Sequence, residues 1–221
     1  MWNGKAVMLA LCAALALVPL TVHAQQEGTD YRALVPAQPT SVGAGKIEVT
    51  EFFSYACPHC NDFYPLLSAW MAKQGKDVVL RRVPLGFERP PWVALQRAFY
   101  ALQASGDLNK LDGPLWNAIH AQHRQLYNEQ SIADWVGANG GDSDKFASAF
   151  SSFGVNTAIE QADKMGEDYA VDGVPTVAVD GRYVALGNEQ PEILVNADKL
   201  IKKVRAERAE RAKSAAAQKA K

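Results

Sequence analysis

A Cys-x-x-Cys pair set between a strand-like run and a helix-like run limits this fold more than any other feature of the sequence. Cys57-Pro58-His59-Cys60 places two thiols where they can close a small disulfide ring and open it again. Just upstream, Ile47 to Phe53 is rich in β-branched and aromatic residues and follows the glycines at 43 and 45, which predicts a strand. Downstream, Phe63, Leu66, Leu67, Trp70 and Met71 recur at helical spacing, predicting a helix that runs towards Gly75. Proline is tolerated only in the first turn of a helix, so Pro58 puts Cys57 at that helix's N-terminus. Val78 to Val83 reads as a second strand, and the segment as a whole is a βαβ unit.

The sequence holds 3 cysteines, and the third, Cys12, lies in a different kind of segment. Met1 to Lys5 gives a short basic start, Ala6 to Leu20 is almost wholly apolar, and Val22-His23-Ala24 fits a small-residue cleavage site. The apolar run carries Pro19 and is shorter than the roughly 20 residues a membrane-spanning helix needs. Residues 1–24 are therefore expected to form a cleaved export signal, with Gln25 as the first mature residue. A retained, acylated Cys12 would want a small residue before it, and Leu11 is not small.

Other uses of the pair fit less well. A structural staple over so short a loop removes little unfolded-chain entropy. A structural zinc site wants four ligands, and no second cysteine pair is present; His120 and His123 could in principle complete one, but the sequence does not bring them near the pair. Covalent haem attachment needs histidine after the second cysteine, where Asn61 stands.

The chain has 221 residues and a formal net charge of -1, but the charge is unevenly placed. From Lys202 onward there are eight Lys or Arg and two Glu, so the body is acidic and the tail basic. That argues against nucleic acid as a partner of the folded part. The tail's composition favours a last helix fraying into solvent.

Between Pro91 and about Ala170 the pattern turns helical. Trp92, Leu95, Phe99 and Leu102 form one stripe, Leu115, Trp116 and Ile119 a second, and Ile132, Trp135 and Val136 a third, all expected in the core. Gly106, Gly113, Gly137, Gly140-Gly141 and Gly154 read as punctuation between helices. Val174 to Val179 then predicts a strand, Asp180-Gly181 a hairpin turn and Arg182 to Leu186 its partner strand, before a helix from about Pro191.

Strand, Cys-x-x-Cys helix, strand, helical block, and a hairpin opened by Gly173-Val174-Pro175-Thr176 make a plan that resembles a thioredoxin-like α/β fold with an inserted α-helical domain. More narrowly, Glu51-Phe52-Phe53-Ser54-Tyr55-Ala56-Cys57-Pro58-His59-Cys60 is similar to the active-site segment of the DsbA family of bacterial periplasmic thiol:disulfide oxidoreductases. The resemblance implies a first thioredoxin-like part over 25–88, a helical insertion over 89–170, a second thioredoxin-like part over 171–205, and a charged tail over 206–221. It implies catalysis by the redox-active disulfide of Cys57 and Cys60, with Cys57 attacked by substrate and Cys60 leaving. Pro58 and His59 would stabilise the thiolate, and Val174 and a cis Pro175 would form the substrate loop. Glu51 would be a buried proton-relay acid. The family pairs that acid with a lysine; here Arg81 or Arg82 stands in its place.

Activity, location and partners follow from the same resemblance. The protein would pass its disulfide to newly exported reduced polypeptides in the periplasm, as a monomer. A DsbB-type quinone-linked inner-membrane protein would reoxidise it, and no metal or organic cofactor is needed because the cysteines are the redox group. Acidity of the first cysteine and an oxidising dithiol are inherited from the family. The physical reason is that helix N–H groups, the helix dipole and His59 stabilise a Cys57 thiolate that exists only in the reduced form. As an illustration, a thiol pKa falling from about 8.5 to about 4.5 would shift the potential by roughly 75 mV at neutral pH. A reductase or isomerase on the same fold, and a metal- or peptide-holding protein without turnover, are the competing readings. A dimeric isomerase would carry an added domain, for which Gln25 to Lys46 is too short.

Overall fold

The computed structural model describes residues 25–219, so the expected export signal, with Cys12, lies outside the described residues. A five-stranded mixed sheet runs in the order β1-β5-β4-β2-β3. An interior strand, β2 (Ile47–Phe53), is buried along its whole length. It pairs in parallel with β3 (Val78–Pro84) and antiparallel with β4 (Thr176–Val179). The short edge strand β1 (Tyr31–Ala33), which carries no strong sequence pattern, pairs with β5 (Tyr183–Ala185).

The β4–β5 hairpin forms where expected. Asp180 and Gly181 both have positive φ, the geometry of a tight hairpin turn. Glycine is required at 181, since a Cβ there would lie 2.1 Å from the Gln38 carbonyl oxygen.

Two helices cover one face of the sheet. α1 (Pro58–Met71) buries Cys60, Phe63, Leu67 and Trp70, a clean i, i+3, i+7 stripe, and ends four residues short of Gly75. Leu66, assigned to that stripe from the sequence, is instead 39% exposed, because the buried stripe turns away from it. α7 (Gln190–Lys219) lies beside α1, and its Leu194, Ala197, Leu200, Ile201 and Val204 pack with Ile47, Val49 and Val177. α7 runs unbroken past residue 205. Its Arg205 pairs with Asp77 at 2.9 Å and its Arg208 with Asp180 at 2.6 Å, so part of the tail's positive charge is spent on acids of the body.

Between β3 and β4 lie α2 (Pro90–Ser105), α3 (Leu108–His120), α4 (Glu129–Ala138), α5 (Ser143–Phe150) and α6 (Phe153–Asp168). The three expected stripes supply their core: Leu95, Phe99, Leu102, Leu115, Trp116, Ile132, Trp135 and Val136 are buried, while Trp92 and Ile119 are partly buried against them. Asn128 and Ser131 form a capping box at the start of α4, and Asp142 and Ser152 cap α5 and α6. Not every glycine is a break: Gly113, Gly137 and Gly154 lie inside helices, whereas Gly106 and Gly140 take positive φ at helix ends.

Candidate active site

The dithiol sits where two cores meet. Cys57 and Cys60 are 5% and 0% exposed and belong to the same packed cluster as Phe53, Tyr55, Leu95, Phe99 and Trp116. Cys57 is the N-cap of α1, with extended backbone angles and Pro58 directly after it. The Cys57 amide donates to Ser54 O at 3.1 Å, which closes the turn between β2 and the helix. Pro58 and His59 face solvent. The other side of the ring is bordered by the loop before β4, where the Val174-Pro175 peptide is cis and the protonated Cys57 thiol donates to Val174 O at 3.4 Å.

The two thiols differ in their electrostatics. Cys57 is brought down to about 6, chiefly by the hydrogen bond from the Cys60 thiol; burial opposes this, and the backbone N–H groups of Cys60 and His59, then the His59 charge, reinforce it. Burial, followed by that same hydrogen bond, pushes Cys60 far above the ordinary thiol range. The second thiol thus leads in acidifying the first, ahead of the helix N–H groups, and the His59 charge contributes least. Only the part of the Cys57 shift below neutral pH counts, so its effect on the potential is at most about 30 mV, less than the roughly 75 mV that a thiol near 4.5 would give.

Behind the ring lies a buried charged cluster. Glu51 is 0% exposed and stands in register with Arg82 on β3. Arg82 Nε donates to Glu51 Oε2 at 2.8 Å, so register assigns Arg82 as the partner; Arg81 points to the opposite face, 3.9 Å from Glu48. Arg82 Nη1 donates to Asp112 Oδ2 at 2.8 Å, and its guanidinium lies 4.1 Å over the Phe53 ring. The Tyr55 hydroxyl donates to the other Asp112 oxygen. Burial raises the Glu51 carboxyl despite Arg82, and Asp112 adds to the rise. Glu51 Oε1 and Arg82 Nη2 are buried without partners.

Asp112, Tyr55 and His120 have no assigned role in the sequence reading. His120 Nε2 meets Tyr55 O at 2.7 Å, and its ring stacks on Trp116. His120 therefore reaches the active-site turn but meets a backbone carbonyl, while His123 stays exposed. One signal for Asp112 was present in the sequence: an acid four residues after Leu108, on the same helix face as Leu111 and Leu115.

A buried Cys-x-x-Cys at the N-terminus of the helix after a buried interior strand, with a cis-proline loop beside it, defines a dithiol oxidoreductase of the thioredoxin fold. Residues 48–197 match the model of the DSBA-like thioredoxin domain. The chain is 39% identical over 201 residues to the thiol:disulfide interchange protein DsbA of Burkholderia cepacia, covering 90% of this chain and 94% of the relative. It is 35% identical to the Pseudomonas aeruginosa DsbA over 206 residues, covering 90% and 97%. The crystal structure of Pseudomonas aeruginosa DsbA superposes with a TM-score of 0.77 at 35% identity, covering 82% of this chain and 95% of that one. For the oxidoreductase DsbA from Xylella fastidiosa the TM-score is 0.78 at 31% identity, covering 83% and 100%. The chain belongs to the DsbA family and is a protein thiol:disulfide oxidoreductase.

Proposed function

We propose that this oxidoreductase works as a disulfide donor to reduced polypeptides exported to the periplasm, with Cys57 as the sulfur attacked. The observation that carries this reading is the contrast between an acidified Cys57 and a Cys60 held protonated by burial. The reduced enzyme holds a stabilised Cys57 thiolate that the disulfide form lacks, so the reduced enzyme is the favoured product of exchange.

A substrate thiolate attacks Cys57 Sγ and breaks the Cys57–Cys60 bond; Cys60 leaves and takes a proton. The second substrate thiolate then attacks the substrate sulfur of the mixed disulfide and expels Cys57 as thiolate. The substrate loses two electrons and two protons, while the enzyme gains two electrons and, near neutral pH, one proton on Cys60. Glu51 is the acid suited to exchanging that proton, because burial keeps it protonatable and its Oε1 has no other partner. Val174, with Pro175 beside the ring, offers its carbonyl to a substrate backbone.

Residues 1–24 carry the features of an export signal, which supports the periplasmic reading. Among the described residues no helix is long and apolar enough to cross a membrane. Reoxidation would fall to a quinone-linked membrane protein of the DsbB type, whose disulfide the Cys57 thiolate attacks.

Oxidative refolding of a reduced client protein tests the assignment. The oxidised enzyme should restore client activity stoichiometrically, and Cys57→Ser should abolish the effect. A Cys57→Ser protein that still promoted refolding would point instead to a binding protein without turnover.

A further inference from the structure

Asp112 sits on α3, at the edge of the helical block, and borders a cavity of about 760 Å³ framed by β3, α2, α3 and α6. Its side chain is 13% exposed, against 0% for Glu51. Arg82 is held between the two carboxylates, at 2.8 Å from each, and the Tyr55 hydroxyl ties Asp112 to the turn that carries Cys57.

We infer that Asp112 is a positioning residue of the redox centre: by dividing the Arg82 charge with Glu51, it keeps the buried acid able to take up and release a proton in the pH range where the enzyme turns over. This rests on the proton-exchanging role proposed for Glu51.

Glu51 and Asp112 compete for one cation. A proton carrier must exist in both protonation states. A guanidinium devoted to one buried carboxylate holds it ionised, typically lowering its pKa by about 1–3 units. Here the single cation serves two anions, and Arg82 cannot resolve the competition by losing its own proton.

Among the described residues, Arg82 from β3, Asp112 from α3, and Cys60 and Tyr64 from α1 act on Glu51, while Tyr55 from the turn reaches Asp112; the Glu51 register partner on β4 is the apolar Val177. Burial and Asp112 together keep Tyr55 protonated, so it serves Asp112 as a donor and does not carry the proton itself. Arg81 and Glu48 pair on the opposite face of the sheet.

Carboxyl-carbon NMR of the reduced mature chain tests the inference by following the Glu51 titration in wild type and Asp112→Asn. The expected result is a Glu51 midpoint lower by about 1 pH unit or more in the variant. Asparagine preserves an acceptor for Tyr55, and if that variant does not fold, Asp112→Ser gives the same reading. Asp112→Glu should return the midpoint towards wild type. A purely structural Asp112 would change unfolding temperature and leave the midpoint where it was, which would overturn the inference.

Glu51→Gln and the double variant Glu51→Gln/Asp112→Asn add a kinetic arm. Their rates of mixed-disulfide resolution should share one pH profile, because Asp112 acts through Glu51. A further, additive change in the double variant would contradict this. Wild-type kinetics in Glu51→Gln alone would remove the catalytic role of Glu51 without touching the titration result, so the two failures are distinguishable.

Discussion

Glu48 and Glu51 lie three residues apart on the same interior strand, β2, and are equally buried, at 0% exposure, yet their settings differ. Glu48 is well supplied with donors: the Ser41 amide at 2.9 Å, the Ser41 hydroxyl, and the Thr50 hydroxyl at 3.3 Å. Its basic neighbour Arg81 is 3.9 Å away and 35% exposed. Glu51 faces the dithiol, receives one ion-pair bond from Arg82, shares that cation with Asp112, and keeps one oxygen bare. Burial alone does not make a proton-carrying acid. What separates the two is the count of donors: a fully satisfied carboxylate anchors structure, and an under-satisfied one beside a thiol can exchange a proton.

The widest gap between the two sites should appear when each loses its arginine. Arg82→Met leaves two carboxylates around a buried gap and is expected to cost about 3–5 kcal/mol in the denaturant midpoint. Equal stability of this variant and wild type would remove the case for a strained, shared cation. Glu48→Ala should cost less, about 1–3 kcal/mol, by stranding the donors on Ser41 and Thr50. It should leave the rate of client oxidation unchanged, and a loss of rate would mean that Glu48 also serves the redox step.

A smaller effect links the dithiol to pH. Cys57 has its pKa depressed to about 6 from 9.0 in the folded reduced protein, so the stability it contributes is fully present above the unfolded value and is lost as pH falls through the folded one. The reduced protein should therefore lose about 1.4 kcal/mol relative to the oxidised form between neutral pH and about pH 5. Paired unfolding curves of the two redox forms would show it, and a pH-independent difference would contradict it. Smallest of all, Arg81→Met should change stability by less than about 1 kcal/mol, since that arginine is a distant, partly exposed partner.

Local pattern carried much of this molecule. The strand at Ile47, the proline that starts α1 and the Asp180-Gly181 turn are set by neighbours in sequence, and each lies where its residues predict. The family match and the dithiol motif were legible for the same reason. The choice between Arg81 and Arg82 was not, because it depends on the parallel register of β2 with β3, which no local motif specifies. Asp112 was less visible still: it meets Tyr55 across 57 residues and Arg82 across 30, through a helix whose docking on the sheet is a tertiary event. The edge strand β1 has three residues and too little pattern to be read.

The ring gives its disulfide away because Cys57 leaves as a stabilised thiolate. Equilibration of the mature protein with glutathione across pH tests it most directly, with the redox state read by thiol alkylation. The potential should be oxidising, and its slope should ease from about 59 mV per pH unit to about 30 mV as pH rises through the Cys57 value near 6. A reducing potential, near the roughly −270 mV of thioredoxin, with a single slope up to pH 8, would contradict the account.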